Sequence, residues 1–575
     1  MAELMFECVR AGRPGRPHTK EQLLRIADRL TPTNIVARPT RVIETPDLSG
    51  AIVNPGDEGV RSTQGGVLLG GVIGEAGRWW EIGAEPPDGT YVLVRYSSTS
   101  IELLTDMTAS RTLWYAHDED RFVVSTSQRA IVALLGDLDL DHAAVSWLLS
   151  SGTLGPECSW DSRVRRLPPD SKLTLERRTW RSTLEHHPAV FAAAAFSREA
   201  HLRRLRDAIA DSCATLEIDT DRWLLPLSGG LDSRMILAFM VNAGRPPRCL
   251  TWTTRASLRN PLSDASIAHH VARRFHVAHE YAFLDDGPRD GDEALQRFVE
   301  IGEGGTDEFA GYIDGCVLWS GLFASGISGV IRGDDPVGAR RRAASPDGAR
   351  RQGHGVMVAD YPEAHLVRRL GLADQDWPER LEQQPWEEFE AYRDRMSHEG
   401  YIPTALAPLT GIKCRFLEVV NPLLSRRIIA VVRSFPDELR MYGRAFFAIV
   451  DRECRLIPQA RFASTPAVSE YLADEQIVRA IVAELTSAAI ERVISEEAAM
   501  TLLAAIASPS HTPATARSRA IAAMKAVRVA MPSRLASRLT PRYQGPDPLT
   551  AIKLAFRATI ASKTVALLRQ DADTL

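Results

Sequence analysis

Leu224-Leu225-Pro226-Leu227-Ser228-Gly229-Gly230-Leu231-Asp232-Ser233 is the stretch from which the rest of the chain is read. Its apolar start reads as a buried strand. It breaks at Ser-Gly-Gly, and Met235, Ile236, Phe239 and Met240 then begin an apolar-periodic helix. The motif therefore sits on a strand-to-helix turn. Two glycines permit a tight turn and a close approach of backbone amides to an anion. The first helical turn adds unpaired N–H groups and the positive end of the helix dipole. Ser228 and Ser233 supply hydroxyl donors, and Asp232 is placed to hold a divalent cation rather than a phosphate. A Walker-type loop is excluded, because no Gly-Lys-Ser/Thr is present.

These residues resemble the Ser-Gly-Gly-x-Asp-Ser signature of the PP-loop ATP pyrophosphatases, and within them the asparagine synthetase branch. The resemblance implies that ATP is split between its α and β phosphates. It assigns nucleotide binding to Leu227, Ser228, Gly229, Gly230, Asp232 and Ser233. It also assigns the adenine to the strand Cys249–Thr253, through Thr251 and Thr253, although a plain core strand reads the same way. Strand, loop, helix, strand and helix in succession predict a parallel α/β sheet.

The bulk numbers agree with a soluble globular protein. The 575 residues are too many for one core, so two or more domains are expected. The chain is 45% hydrophobic with a net charge of −4, so no global basic character points to nucleic acid. Seven scattered cysteines without a Cys-x-x-Cys suggest neither zinc nor a disulfide framework, and a reducing cytoplasm is expected. No apolar run approaches the ~20 residues that span a bilayer.

Residues 1 to about 185 read as mostly β, with strands at 91–96, 101–104, 112–116 and 121–125 and helices at 130–135 and 141–149. Asp88-Gly89-Thr90-Tyr91, Asp106, Thr112-Leu113-Trp114-Tyr115 and Phe122 to Thr126 resemble the amidotransferase half of asparagine synthetase. That implies an αββα sandwich of the N-terminal-nucleophile type. The family's glutaminase uses a Cys directly after the initiator Met, but here that residue is Ala2, and Cys8 would serve only after trimming. The domain is therefore expected to keep the fold without releasing ammonia. The expected division is 1–185 for this inactive domain, 196–490 for the synthetase-like domain and 491–575 for a basic helical extension. Arg517, Arg519, Lys525, Arg528, Arg534, Arg538 and Arg542 make that extension basic. Such a tail can meet a membrane or a partner, and a solvated helical face is the plainer reading.

A metal-bound triphosphate needs a second carboxylate. Two stretches compete: Gly302 to Tyr312, with Asp307 and Glu308, and Gly329 to Gly338, with Asp334 and Asp335. The second is preferred, because it follows a buried strand and so emerges at the carboxyl end of a sheet. The first reads as the start of a helix carrying Phe309, Ile313, Cys316 and Val317. Asp232 and Asp335 are the expected Mg2+ ligands, with Gly333 beside the nucleotide. Arg340, Arg341, Arg342, Arg350 and Arg351 read as either a mobile lid or a solvated loop.

Arg332-Gly333-Asp334-Asp335-Pro336 departs from asparagine synthetases and looks more like lasso peptide cyclases, with β-lactam synthetase a second relative. Cys414 to Leu424 resembles the family's segment before its closing helix. Arg444 falls roughly where relatives carry a Lys that steadies charge. The resemblance implies an ATP- and Mg2+-dependent ligase that adenylates a side-chain carboxylate of a short precursor peptide. The peptide's N-terminal amine would close the ring, with Arg444 and Arg332 stabilising charge. A leader-binding protein and a leader peptidase are the expected partners. A β-lactam synthetase, an ammonia-dependent asparagine synthetase and an inactive nucleotide- or peptide-binding scaffold remain as alternatives.

Overall fold

The computed structural model describes residues 2–13, 16–56, 58–284, 290–336, 340–361, 365–454, 457–507 and 549–575. The basic residues expected between 517 and 542 lie outside the described residues. Among those described, no helix is long and apolar enough to cross a membrane.

The amino-terminal half contains two six-stranded antiparallel sheets. The first is built around Glu3–Val9, paired with Leu48–Val53 and Arg121–Ser125. The second is built around Gly89–Tyr96, paired with Gly66–Val72 and Ser100–Thr105. Side chains alternate between the faces of a strand, and both sheets send one set inward. Leu4, Phe6, Cys8, Ile52, Phe122 and Val124 meet Val67, Leu69, Val92, Val94, Ile101 and Leu103 in one core. The alternate residues of the first sheet, Met5, Ala51, Val53 and Val123, pack instead on Leu23 and Ile26 of helix Lys20–Leu30 and on Ile131 of helix Gln128–Leu135.

The second sheet departs from the expected αββα layering. Its outer residues Leu68, Tyr91, Leu93 and Leu104 are covered by Trp79 and Ala76 from the irregular segment after residue 73, with no helix in that cluster. The strand expected at 112–116 begins only at Trp114, because Thr112 precedes the pairing with Arg121–Ser125.

The second half is organised on a five-stranded, wholly parallel sheet: β1 (Trp223–Pro226), β2 (Arg248–Thr253), β3 (His279–Phe283), β4 (Gly329–Ile331) and β5 (Glu418–Val420). Its order is β3-β2-β1-β4-β5. The chain builds outward from β1 in one direction and then resumes on its other side. Both faces are covered, which explains the unbroken apolar run of β1. Leu225 and Ile331 face helix Arg198–Ala214 and helix α1 (Asp232–Asn242). Leu224, Leu250, Val330 and Val419 face the other way, toward Phe298, Trp319 and the final helix Ala551–Ala572.

Three other expectations change. No helix runs from Phe309 to Val317: a 3-10 turn at Phe309–Gly311 is followed by Cys316 at φ 62°, and the helix starts only at Val317. The arginine-rich stretch is not one solvated loop. It holds helix Pro346–Gly353, and Arg350 and Arg351 both bind Asp360, at 2.5 and 3.0 Å. The final helix is not a solvated face. It is buried around its whole circumference, and Asp571 binds Arg29 and Arg129 of the sandwich half.

Arg557 of that helix binds Asp307 at 2.7 Å and donates to the carbonyls of Leu149 and Ser150. Arg557→Leu strands a buried carboxylate and two carbonyls. It should destabilise the chain by about 3–5 kcal/mol, read as a lower midpoint in urea. An unchanged midpoint would mean that the final helix is not part of the cooperative core.

Candidate functional site

Strand order reverses between β1 and β4, so their carboxyl ends diverge into the crevice where open α/β sheets hold ligands. The Ser-Gly-Gly loop leaves β1 there, and the Gly333-Asp334-Asp335 loop leaves β4 beside it. A Cβ on Gly333 would stand 3.2 Å from Asp232 Cβ and 3.0 Å from Ile236 Cδ1. That contact seats the second loop on the first turn of α1.

The result brings three carboxyls together. Asp232 is held well above the ordinary carboxylate range, chiefly by burial, then by the negative charges of Asp335 and Asp334. The backbone N–H of Asp335 donates to it and partly offsets this. Like charges converge here, and a divalent cation would relieve them. Among the described residues, no group of three or more His, Cys, Asp or Glu is arranged to hold an ion. Asp232 and Asp335 would therefore hold Mg2+ only with phosphate and water oxygens completing its shell, the usual way this ion is bound.

The second loop is braced from three sides. Arg332 Nε lies 2.8 Å from Asp334 Oδ2, and Asn421 Nδ2 donates to the same oxygen at 2.9 Å. Arg332 Nη1 is itself fixed by the Leu406 carbonyl and Thr410 Oγ1. His398 Nε2 donates to the Pro336 carbonyl at 2.6 Å. Burial and Arg433 push the His398 pKa down to about 3, so the ring is neutral and this bond persists across the physiological range.

The loop after β1 differs from the sequence expectation. Ser228 N–H donates to Ser233 Oγ at 3.0 Å, and Gly230 N–H to Ser228 Oγ at 3.2 Å. Gly229 N–H donates to Asp264 Oδ1 at 2.8 Å. The two glycine amides assigned to phosphate are thus engaged, Gly230 within the loop and Gly229 by the first residue of helix Asp264–Phe275. The first turn of α1 is different, because Leu231 precedes it and no side chain caps it. Gly229 is needed for space: a Cβ would stand 2.5 Å from Ala460 Cβ. Arg234 ties the loop to that segment, bonding the carbonyls of Gly229, Ile457 and Pro458.

The proposed adenine residues serve the sheet. Thr251 Oγ1 donates to the Leu227 carbonyl at 2.6 Å and meets His279 Nε2 at 2.9 Å, and buried Thr253 donates to the Thr254 carbonyl. Arg444 stands apart. It is exposed, its guanidinium lies 5.4 Å from the Tyr442 ring centroid, and Nη1 reaches the Glu438 carbonyl. Gly443, at φ 65°, turns the chain so that helix Arg444–Glu453 begins on its solvent side. Asp307 lies against Arg557, away from Asp232.

Sequence reasoning missed Asp264 and Lys413. Asp264 was read only as a helix opener, and burial raises its pKa against the bond from Gly229. Lys413 is buried behind Arg332. Its Nζ donates to Tyr312 Oη and the Leu409 carbonyl, both at 2.9 Å, and lies over the Tyr312 and Trp319 rings. Burial, then Arg332, hold its pKa well below the usual lysine value. A lysine within the mostly apolar run of helix Ala407–Cys414 was the available signal. Cys8 is unfit as a nucleophile: it is buried, and its thiol is pushed up to about 11 by burial.

A raised acid pKa means that the folded protein binds the proton more tightly than the unfolded chain. Asp232 therefore favours folding at low pH, and that contribution is lost as pH rises through its raised value. In metal-free protein, Asp232→Asn should raise the neutral-pH melting temperature by a few degrees and flatten its fall with pH. Melting curves from pH 4 to 8 test this, and a lower neutral-pH melting temperature in the variant would count against it.

No family model matches the chain, and no curated protein matches it. Among solved structures it is similar to an allosteric regulatory enzyme of purine biosynthesis: 11% identity, TM-score 0.21, 50% of this chain and 81% of that one covered. It is also similar to glutamine phosphoribosylpyrophosphate amidotransferase from B. subtilis complexed with ADP and GMP: 9% identity, TM-score 0.20, 50% and 82% covered. Likenesses at this level decide neither fold nor chemistry.

Proposed function

We propose that the chain is an ATP-dependent amide ligase that forms AMP and pyrophosphate. The observation that carries this reading is the meeting of Asp232 with Asp335 at the carboxyl ends of two adjacent parallel strands, beside the uncapped first turn of α1. Carboxylates in that place suit a cation bridging phosphate oxygens, and a helix start suits the phosphates themselves.

Asp232 and Asp335 would hold Mg2+, which would draw charge from the departing pyrophosphate. Ser228, Ser233 and the first turn of α1 would cradle the β and γ phosphates, with the loop loosening its internal bonds to do so. A substrate carboxylate oxygen attacks the α phosphorus, and the bond from that phosphorus to the bridging oxygen breaks. An amine then attacks the acyl carbon, loses its proton, and AMP leaves. Arg332 would steady charge from its place beside Asp334. Arg444, on the solvent side, would act only on a substrate reaching that face.

The amine is then one carried by the substrate itself, since Cys8 of the first sandwich sheet is buried, with its thiol pushed up by burial, and is unfit to release ammonia. With the lasso-cyclase resemblance of Arg332 to Pro336, this makes the substrate a short precursor peptide closed into a macrolactam. A leader-binding protein and a leader peptidase would be the partners.

Incubation with ATP, Mg2+ and a leader-free precursor should give a product lighter by one water, together with AMP. Asp335→Asn should lower kcat/KM by ~10²–10³-fold. ADP as the product would refute the adenylate step. Amide formation from free aspartate and ammonium, with no peptide reaction, would move the assignment to a small-molecule ligase.

A further inference from the structure

Arg181–His186 forms one edge of the second sandwich sheet. On one side it pairs with Ser171–Glu176, with Arg181 opposite Glu176 and Glu185 opposite Lys172. Among the described residues, no strand pairs with its other side, and Arg181 to Glu185 are all exposed.

One bond settles which backbone groups point outward. His187 N–H donates to the Asp170 carbonyl, in step with the Glu185–Lys172 and Thr183–Thr174 pairs. Backbone groups of successive residues point to opposite sides of an antiparallel strand, so Arg181, Thr183 and Glu185 bond inward. Ser182, Leu184 and His186 direct their N–H and C=O groups toward the open side. Side chains alternate between the two faces as well. Leu184 stands opposite Leu173 of the sandwich core, yet it is 44% exposed. Arg181, Thr183 and Glu185 lie on the other face. Arg181 and Glu185 carry opposite charges and flank Thr183 symmetrically. Charged side chains usually keep an edge from pairing with its own copy. A two-fold axis at Thr183 has the reverse effect, because Arg181 of each copy then stands opposite Glu185 of the other.

We propose that Arg181–His186 pairs antiparallel with the same strand of a second copy, about a two-fold axis at Thr183, so that one continuous sheet joins two sandwich halves. Ser182 of each copy would exchange backbone bonds with Leu184 of the other. Arg181 and Glu185 would occupy the pairs without backbone bonds, where facing side chains lie closest. The two Leu184 side chains would become diagonal neighbours and cover each other. An axis at Leu184 would satisfy the backbone equally, but it places Arg181 opposite His187 and Glu185 opposite Thr183. Charge therefore selects the first register. A two-fold contact closes on itself and stops at two copies. One strand per copy makes a small interface, so the dimer is reversible and depends on concentration. It uses none of the residues assigned to nucleotide or metal.

Sedimentation equilibrium of the full chain, from micromolar to near-millimolar concentration, should show monomer and dimer in exchange. Leu184→Pro removes an outward N–H and no bond of the hairpin, and it should weaken the dimer about tenfold. Arg181→Glu and Glu185→Arg should each weaken it about tenfold, because like charges then face each other in both symmetric pairs. An equimolar mixture of these two variants should associate about tenfold more tightly than either alone, since both pairs across the axis are again opposite in charge. If Leu184→Pro fails to fold, the mixture decides. A chain that is monomeric at every concentration, a dimer that Leu184→Pro leaves intact, or a mixture no tighter than its components would overturn the proposal.

Discussion

The crowding of Asp232, Asp334 and Asp335 at one end of the parallel sheet is the constraint on which the candidate site depends. Three carboxyls facing one another are unfavourable unless something holds them. Here the holding is done by neutral and cationic groups, one adjacent in sequence and two from distant parts of the chain. Arg332 and Asn421 share one oxygen of Asp334, and a neutral His398 anchors the carbonyl of Pro336. Much of this bracing runs through the segment 397–421, so that segment and the loop after β4 stand or fall together.

The two halves are joined by close packing and by buried charge. Gly71 of the second sandwich sheet leaves room for Val420: a Cβ there would lie 2.3 Å from Val420 Cγ2. Val420 ends β5, one residue before Asn421, so sandwich and carboxylate loop are in register through a single strand end. Arg111 and Glu418 pair across the same boundary, and Asp571 of the final helix pairs with Arg29 and Arg129 of the sandwich half. A buried ion pair contributes little net stability and is strongly unfavourable to break by halves. These pairs therefore fix the relative placement of the halves more than they deepen the fold.

Much of the parallel sheet could be read directly. Leu224 to Leu227 announced a buried strand, Gly229-Gly230 its turn, and Met235, Ile236, Phe239 and Met240 the helix. Choosing Asp335 over Asp307 rested on the buried strand that precedes it and on its distance along the chain from the Ser-Gly-Gly loop. The losses have physical causes as well. Phe309 to Val317 has helical spacing, but Cys316 in a left-handed conformation interrupts it. The amide of Gly229 looked available because its partner, Asp264, stands 35 residues further on and is brought there by folding. Ala551 to Ala572 was not singled out within the basic extension, since nothing in its spacing shows that Asp307 and Glu484 would meet Arg557 and Lys563 inside the core.

Local order along the chain was thus determined by the sequence alone: strand or helix, turn chemistry, and the carboxylates that follow buried strands. These depend on side-chain period and on backbone freedom within a few residues. Only the tertiary structure decided that Asp335 faces Asp232, that Arg444 does not join them, and that Lys413 lies buried behind Arg332. Such outcomes depend on which strand lies beside β1 and on how each charge is desolvated. Both are set by contacts between segments far apart in the chain, which leave no mark in local spacing.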